Sequence, residues 1–138
     1  MAGATNRKER LMLNAALDVS GYSIALYTTM PADDGSGGTE VTGGSYARVS
    51  IASTDWEDGI QGNPTTKSGP KTGVSWTFPA PSANWGNVKG IGIVDGSSNI
   101  DFIGLLPTAK DINNGDPAPV FNVTHQILVQ FGDPGDTF

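Results

Sequence analysis

Val88-Lys89-Gly90-Ile91-Gly92-Ile93-Val94, then Asp95-Gly96-Ser97-Ser98, then Ile100-Asp101-Phe102-Ile103-Gly104-Leu105-Leu106, is two runs of strand formers around a turn. β-Branched and apolar side chains favour pleated, extended backbone, and Asp-Gly favours a tight reversal, so the stretch predicts an antiparallel hairpin. In its second run Phe102 and Gly104 alternate with Asp101, whose carboxylate is therefore expected to face water or a neighbouring subunit.

The same period of two extends in both directions. Upstream, Ser23 to Thr28 alternates, and Tyr46 to Ala52 repeats the pattern with Ala47, Val49 and Ile51 on one side. Between these two strands, Pro31 to Gly38 supplies turn residues and Thr39-Glu40-Val41 a short edge segment. Gly73 to Phe78 reads as a strand with Val74, Trp76 and Phe78 on one face, ended by Pro79. Asp55 to Lys71 has little periodicity and reads as an excursion anchored by Trp56 and Ile60. Downstream, Asn113-Asn114-Gly115-Asp116 forms a turn, and Val120 to Val123 with His125 to Phe131 close the set.

One segment departs from this pattern. Arg7 to Leu17 is rich in helix formers behind a candidate N-cap at Asn6, and Ser20-Gly21 is its stop. The expected fold is all-β, an antiparallel β-sandwich of about seven short strands with a short N-terminal helix or arm. The helix or arm takes residues 1–21, the β-domain 22–131, and a flexible C-terminal tail 132–138.

Composition narrows the function. The chain has 138 residues, enough for one domain with a core, and its 19 Gly and 9 Pro mark frequent turns. No apolar run approaches a membrane span, and Arg7, Lys8, Glu9 and Arg10 are out of place in a secretory leader. A net charge of −6 argues against docking on phosphate backbones, so neither membrane nor nucleic acid is an expected partner. With no cysteine there are no disulfides, thiolate metal sites or cysteine nucleophiles. His125 is the only histidine, with no second imidazole to share a metal, and no Gly-x-Ser-x-Gly elbow occurs. Asp111 to Asp116 resembles a calcium loop, but its glycine is fifth and no glutamate stands twelfth, so an Asn-Gly turn explains it better. Asp33 and Asp34 are likewise explained as turn residues. No catalytic residue, metal site or cofactor is expected.

Leu26-Tyr27-Thr28-Thr29-Met30-Pro31-Ala32-Asp33, followed by Gly37-Gly38-Thr39-Glu40-Val41-Thr42-Gly43-Gly44-Ser45-Tyr46-Ala47-Arg48-Val49, resembles a family of small virion proteins of tailed bacteriophages. They are often labelled tail fibre proteins, and similar small β-domains serve as capsid decoration or cement proteins. The resemblance continues through Trp76 to Pro79, Ala83 to Val88, Gly90 to Asp95 and Gly104 to Leu106, and spans residues 22 to 131 in order. It implies a structural role in the virion, which is assembled in the cytoplasm of a bacterial host.

The leading expectation is a non-enzymatic head decoration protein that cements the capsid exterior as a homo-oligomer, with a trimer favoured. Its partner would be the major capsid protein. The alternative is a tail fibre or tail-tip protein that meets other tail subunits. A third reading, a carbohydrate-binding module or sugar hydrolase, rests on Trp56 beside Asp55, Glu57 and Asp58. The candidate partner contacts are Arg7, Lys8 and Arg10 on the basic arm, with Trp56 and Ile60 on the excursion.

Overall fold

The computed structural model describes residues 4–62 and 64–131, so the tail at 132–138 lies outside the described residues. Among the described residues helix α1 (Asn6–Leu17) precedes nine strands: β1 (Tyr22–Thr29), β2 (Thr39–Glu40), β3 (Val49–Ile51), β4 (Thr65–Gly69), β5 (Trp76–Thr77), β6 (Gly86–Val94), β7 (Ile100–Ile112), β8 (Val120–Phe121) and β9 (Ile127–Phe131). The fold is all-β, antiparallel and sandwich-like with one short N-terminal helix. The chain divides into two compact units: residues 1–20, 52–75 and 121–138 make the first, and 21–51 with 76–120 the second. The helix shares the first unit with the excursion and the last strand.

The second unit is built on the hairpin. Its sheet runs β2-β1-β6-β7, with β3 also paired to β1. Ile24 to Tyr27 are buried in succession, so this strand is covered on both faces. On one face Ala25, Tyr27 and Val94 form a cluster with Met30 and Ile100 packed against it. Register places Tyr27 beside Gly90 and Gly90 beside Leu105, and Ala25 beside Gly92 and Gly92 beside Ile103. Both glycines are needed for close approach: a Cβ on Gly92 would lie 2.8 Å from Tyr27 Cε2, and one on Gly90 would strike Met30 Sδ and the Gly104 carbonyl. The second strand of the hairpin outruns its expected end at Leu106 and reaches Ile112. Val88 pairs with Lys110 and Gly90 with Leu105, so residues 106–109, Pro107 among them, bow out of the ladder.

Two expected strands are shorter than the pattern suggested. Tyr46 to Ala52 contracts to the three residues of β3 because Gly43, Gly44 and Ser45 turn through positive φ and Tyr46 N–H closes that turn on Gly43 O (2.9 Å). Ala47 is exposed, and the Tyr46 ring packs edge-on against Trp85 (5.3 Å) and stacks with Phe78 (6.2 Å). Gly73 to Phe78 contracts to the two residues of β5 because Val74 N–H bonds back to Lys71 O (3.0 Å). Trp76 and Phe78 are buried as expected, while Val74 is half-buried.

The first unit holds the largest surprise. The excursion contains β4, which pairs in register with β9, Thr65 opposite Phe131 through Gly69 opposite Ile127. Burial alternates along it, with Thr65, Lys67 and Gly69 inward, so a period of two is present but is written in polar and small residues. The helix packs on this ribbon through Leu13 and Leu17, both fully buried. Its N-cap is Thr5 and not Asn6, since Thr5 Oγ1 accepts from Lys8 N–H (3.3 Å).

Candidate functional site

In the first unit the helix is held by polar groups at its centre. Lys67 is 1 % exposed, and its ammonium donates to Asn14 Oδ1 (2.7 Å) and to the Glu57 carbonyl (2.6 Å), with an Asp18 carboxylate oxygen 3.1 Å away. An ammonium has three protons, and these three acceptors can take all of them, so the buried side chain leaves no donor unmet. Asn14 completes the junction: its Oδ1 also accepts from Gly59 N–H (3.0 Å), and its Nδ2 donates to Asp58 Oδ1 (2.8 Å). Thr65 Oγ1 donates to the buried Glu9 carboxylate (2.7 Å). The bond from Asn14 holds the Asp58 carboxyl below its usual range, assisted by the charge of Arg10.

This geometry places each candidate contact. Arg7 and Lys8 are exposed on the first turn. Arg10 lies against its own unit, with Nη1 3.2 Å from Asp58 Oδ2, so the arm offers two free basic side chains and not three. Trp56 is 5 % exposed, so its ring is covered and is not presented to a neighbour or to a sugar. Ile60 stands out at 65 % exposure, bridging to Thr66 through paired backbone bonds of 2.7 and 3.0 Å. The first unit thus brings Arg10, Trp56 and Ile60 into one body, and of these three only Ile60 faces outward as apolar surface.

The acidic loops prove to be self-contained. Asp34 Oδ1 accepts from Ser36 N–H (2.9 Å), and Ser36 holds that carboxyl below its ordinary value. Asp95 closes the hairpin turn by accepting from the backbone of Ser97 (2.8 Å) and Asn99 (2.9 Å). Asp111 accepts from Asn87 Nδ2 (2.8 Å). Among the described residues no three His, Asp or Glu converge as a metal site. His125 is exposed in a turn and not on a strand, with its N–H on Asn122 O (2.9 Å). No described helix is long and apolar enough to cross a membrane.

Surface chemistry is where the molecule has something to offer. The second unit carries three basic against seven acidic side chains, net −4, while the described part of the first is balanced, five against five. Sequence reading named Ile60 but passed over Ile103, Leu105, Val123 and Leu128, all exposed large hydrophobics. The signal for Ile103 and Leu105 was available in the alternation of the hairpin's second run. What it lacked was the knowledge that this run ends the sheet.

A profile of podophage GP4 fiber I protein gp80 matches residues 5–128, a span that takes in the helix and most of both units. The chain belongs to that family. It is accordingly a structural protein of the tailed-phage virion, as the resemblance implied. No curated protein and no solved structure matches the chain.

Proposed function

We propose that the protein is a non-enzymatic subunit of a tail-associated fibre, held in the particle by protein–protein contacts with copies of itself and with other tail subunits. The observation that carries the reading is the match to the fiber I protein, which is continuous over residues 5–128 and so covers the body of the chain instead of one motif. The surface supports it: a net-negative second unit and exposed Ile60, Ile103, Leu105 and Leu128 suit docking on protein, with apolar contacts for affinity and charge for partner choice.

Head decoration drew its support from a basic arm reaching a capsid neighbour. That support is weaker with Arg10 paired to Asp58 and the helix fastened through Asn14. The sugar-binding reading loses its aromatic platform with Trp56 enclosed. The test is cryo-electron microscopy of particles carrying an epitope-tagged copy, together with the molar copy number. A small stoichiometric set at the tail supports the fibre reading. Label spread over the shell at the abundance of a coat protein rejects it in favour of decoration.

A further inference from the structure

The buried amine of Lys67 is held against an amide. Its Nζ lies 2.7 Å from Asn14 Oδ1, and since that oxygen sits about 1.2 Å from its carbon, Nζ is no more than about 3.9 Å from the Asn14 amide carbon. Atoms poised to react stand about 3–3.5 Å apart, so the gap left to close is under about 1 Å. The amide is prepared on both of its polar atoms. Gly59 N–H donates to the same Oδ1 (3.0 Å), where negative charge develops when a carbonyl is attacked. A Cβ on residue 59 would stand 2.9 Å from Arg10 Cγ and 3.1 Å from Asn14 Oδ1, so this close approach of the backbone depends on glycine. Asn14 Nδ2, the atom that has to leave, donates to Asp58 Oδ1 (2.8 Å). A carboxylate oxygen of Asp18 lies 3.1 Å from Nζ, and Asp18 is 42 % exposed, which gives a proton of the ammonium a route to water.

We propose that Lys67 and Asn14 condense into an intramolecular isopeptide bond with release of ammonia, tying α1 covalently to β4. The three protons of the ammonium account for the reaction. One goes to the Asp18 carboxylate and on to solvent, freeing the lone pair that forms the Nζ–Cγ bond. One passes to Nδ2 as the Cγ–Nδ2 bond breaks, and one stays on the new amide nitrogen. The released ammonia takes up the proton given to solvent. A lysine ammonium and an asparagine amide thus become a secondary amide and an ammonium ion, with no oxidant, metal or second chain required. The reaction runs once per chain and turns over no substrate. In the newly folded chain the ammonium donates to the carbonyl oxygen, so the arrangement with its lone pair toward the carbon is a minor one and the bond accumulates slowly after folding. The chemistry lies within the first unit, and it can succeed or fail wherever in the virion the chain is placed.

Intact-mass spectrometry of the purified full chain, held folded at neutral pH over several days, should show a growing species lighter by about 17 Da, the mass of ammonia. Peptide mapping should join the peptides that carry residues 14 and 67. In guanidinium the same chain should form no such link, because the encounter depends on the fold. Lys67→Arg keeps a cation without the amine and should form none either, with circular dichroism reporting that it is folded. Asn114-Gly115 can also shed ammonia by closing a backbone succinimide, but that ring reopens with water and leaves the two peptides separate. A folded chain of constant mass overturns the proposal, as does a mass loss that maps to Asn114 alone. So does a link between 14 and 67 that forms equally in guanidinium.

Discussion

Replacing Lys67 by methionine keeps most of the buried stem and removes only the ammonium, so it isolates what that charge contributes to the first unit. Breaking a buried ion pair from one side ordinarily costs about 3–5 kcal/mol, because the partner is left buried and uncompensated. Two features reduce the figure here. Asp18 is 42 % exposed and can return to water, and Asn14 Oδ1 keeps the Gly59 N–H. What stays stranded is the Glu57 carbonyl, previously 2.6 Å from the ammonium, and an unmet buried acceptor costs about 1–3 kcal/mol. The expected loss is about 2–3 kcal/mol, or about 6–15 °C in Tm for a chain of this size. Urea and thermal unfolding by circular dichroism measure it, and amide exchange should place the loss in α1, β4 and β9. Asp18→Asn should cost under about 1 kcal/mol, as half-exposed ion pairs do. A neutral or stabilising Lys67→Met would refute the reasoning. So would an Asp18→Asn as damaging as Lys67→Met, since the ion pair and not the oxygen acceptors would then hold the helix.

Gly92→Ala should destabilise by about 1–3 kcal/mol because its Cβ meets the Tyr27 ring, while Gly104→Ala, with nothing within 4 Å, should be near neutral; paired melts decide it. Glu40 is held below its ordinary 4.5 chiefly by the hydrogen bond from Arg48, so its contribution to stability is present above pH 4.5 and lost as pH falls through the lower folded value. Arg48→Gln should move the Glu40 midpoint back toward 4.5 in a carboxyl NMR titration, and an unmoved midpoint would remove Arg48 as the cause. Tyr22 is pushed up to about 12, first by burial and then by its bond to Asp101, so the stabilisation it gives is complete below pH 10 and lost as pH rises through 12. Asp101→Asn should lower that midpoint only in part, since burial remains, as read by ultraviolet titration of the phenolate.

The hairpin and the Trp76–Phe78 face were legible because side-chain character there coincides with side-chain direction. Ile91 and Ile93 alternate with glycines, and the turn is closed by Asp95, so pattern and geometry say the same thing. The β4 strand was not legible for the opposite reason. Its inward residues are Thr65, Lys67 and Gly69, and nothing in the order Thr-Thr-Lys-Ser-Gly reveals that a lysine is inside until the helix that receives it is in place. Tyr46 to Arg48 misled in the reverse sense. The alternation is that of a strand, but the Tyr46 hydroxyl donates to Glu40 (2.9 Å) and accepts from Leu26 N–H (3.0 Å), and Arg48 bonds Glu40 (2.8 Å), so side chains take the place of ladder bonds.

The same distinction separates the candidate contacts. A basic triplet and a tryptophan in an irregular loop are features a sequence displays openly, yet Arg10 is paired to Asp58 and Trp56 is buried, because long-range partners decide whether a polar or aromatic group is available. Exposure of Ile103 and Leu105 depends on strand order: the same alternating residues in a central strand would be core, and only at the end of a sheet do they become surface. Edge position cannot be read from one strand, since it is a statement about which other strands are missing beside it. Interruption of the ladder, however, is local and is written in the chain at Pro107: the strand leaves its partner over 106–109 and rejoins it at Lys110, so a proline inside an alternating run marks a bow in the pairing and not its end.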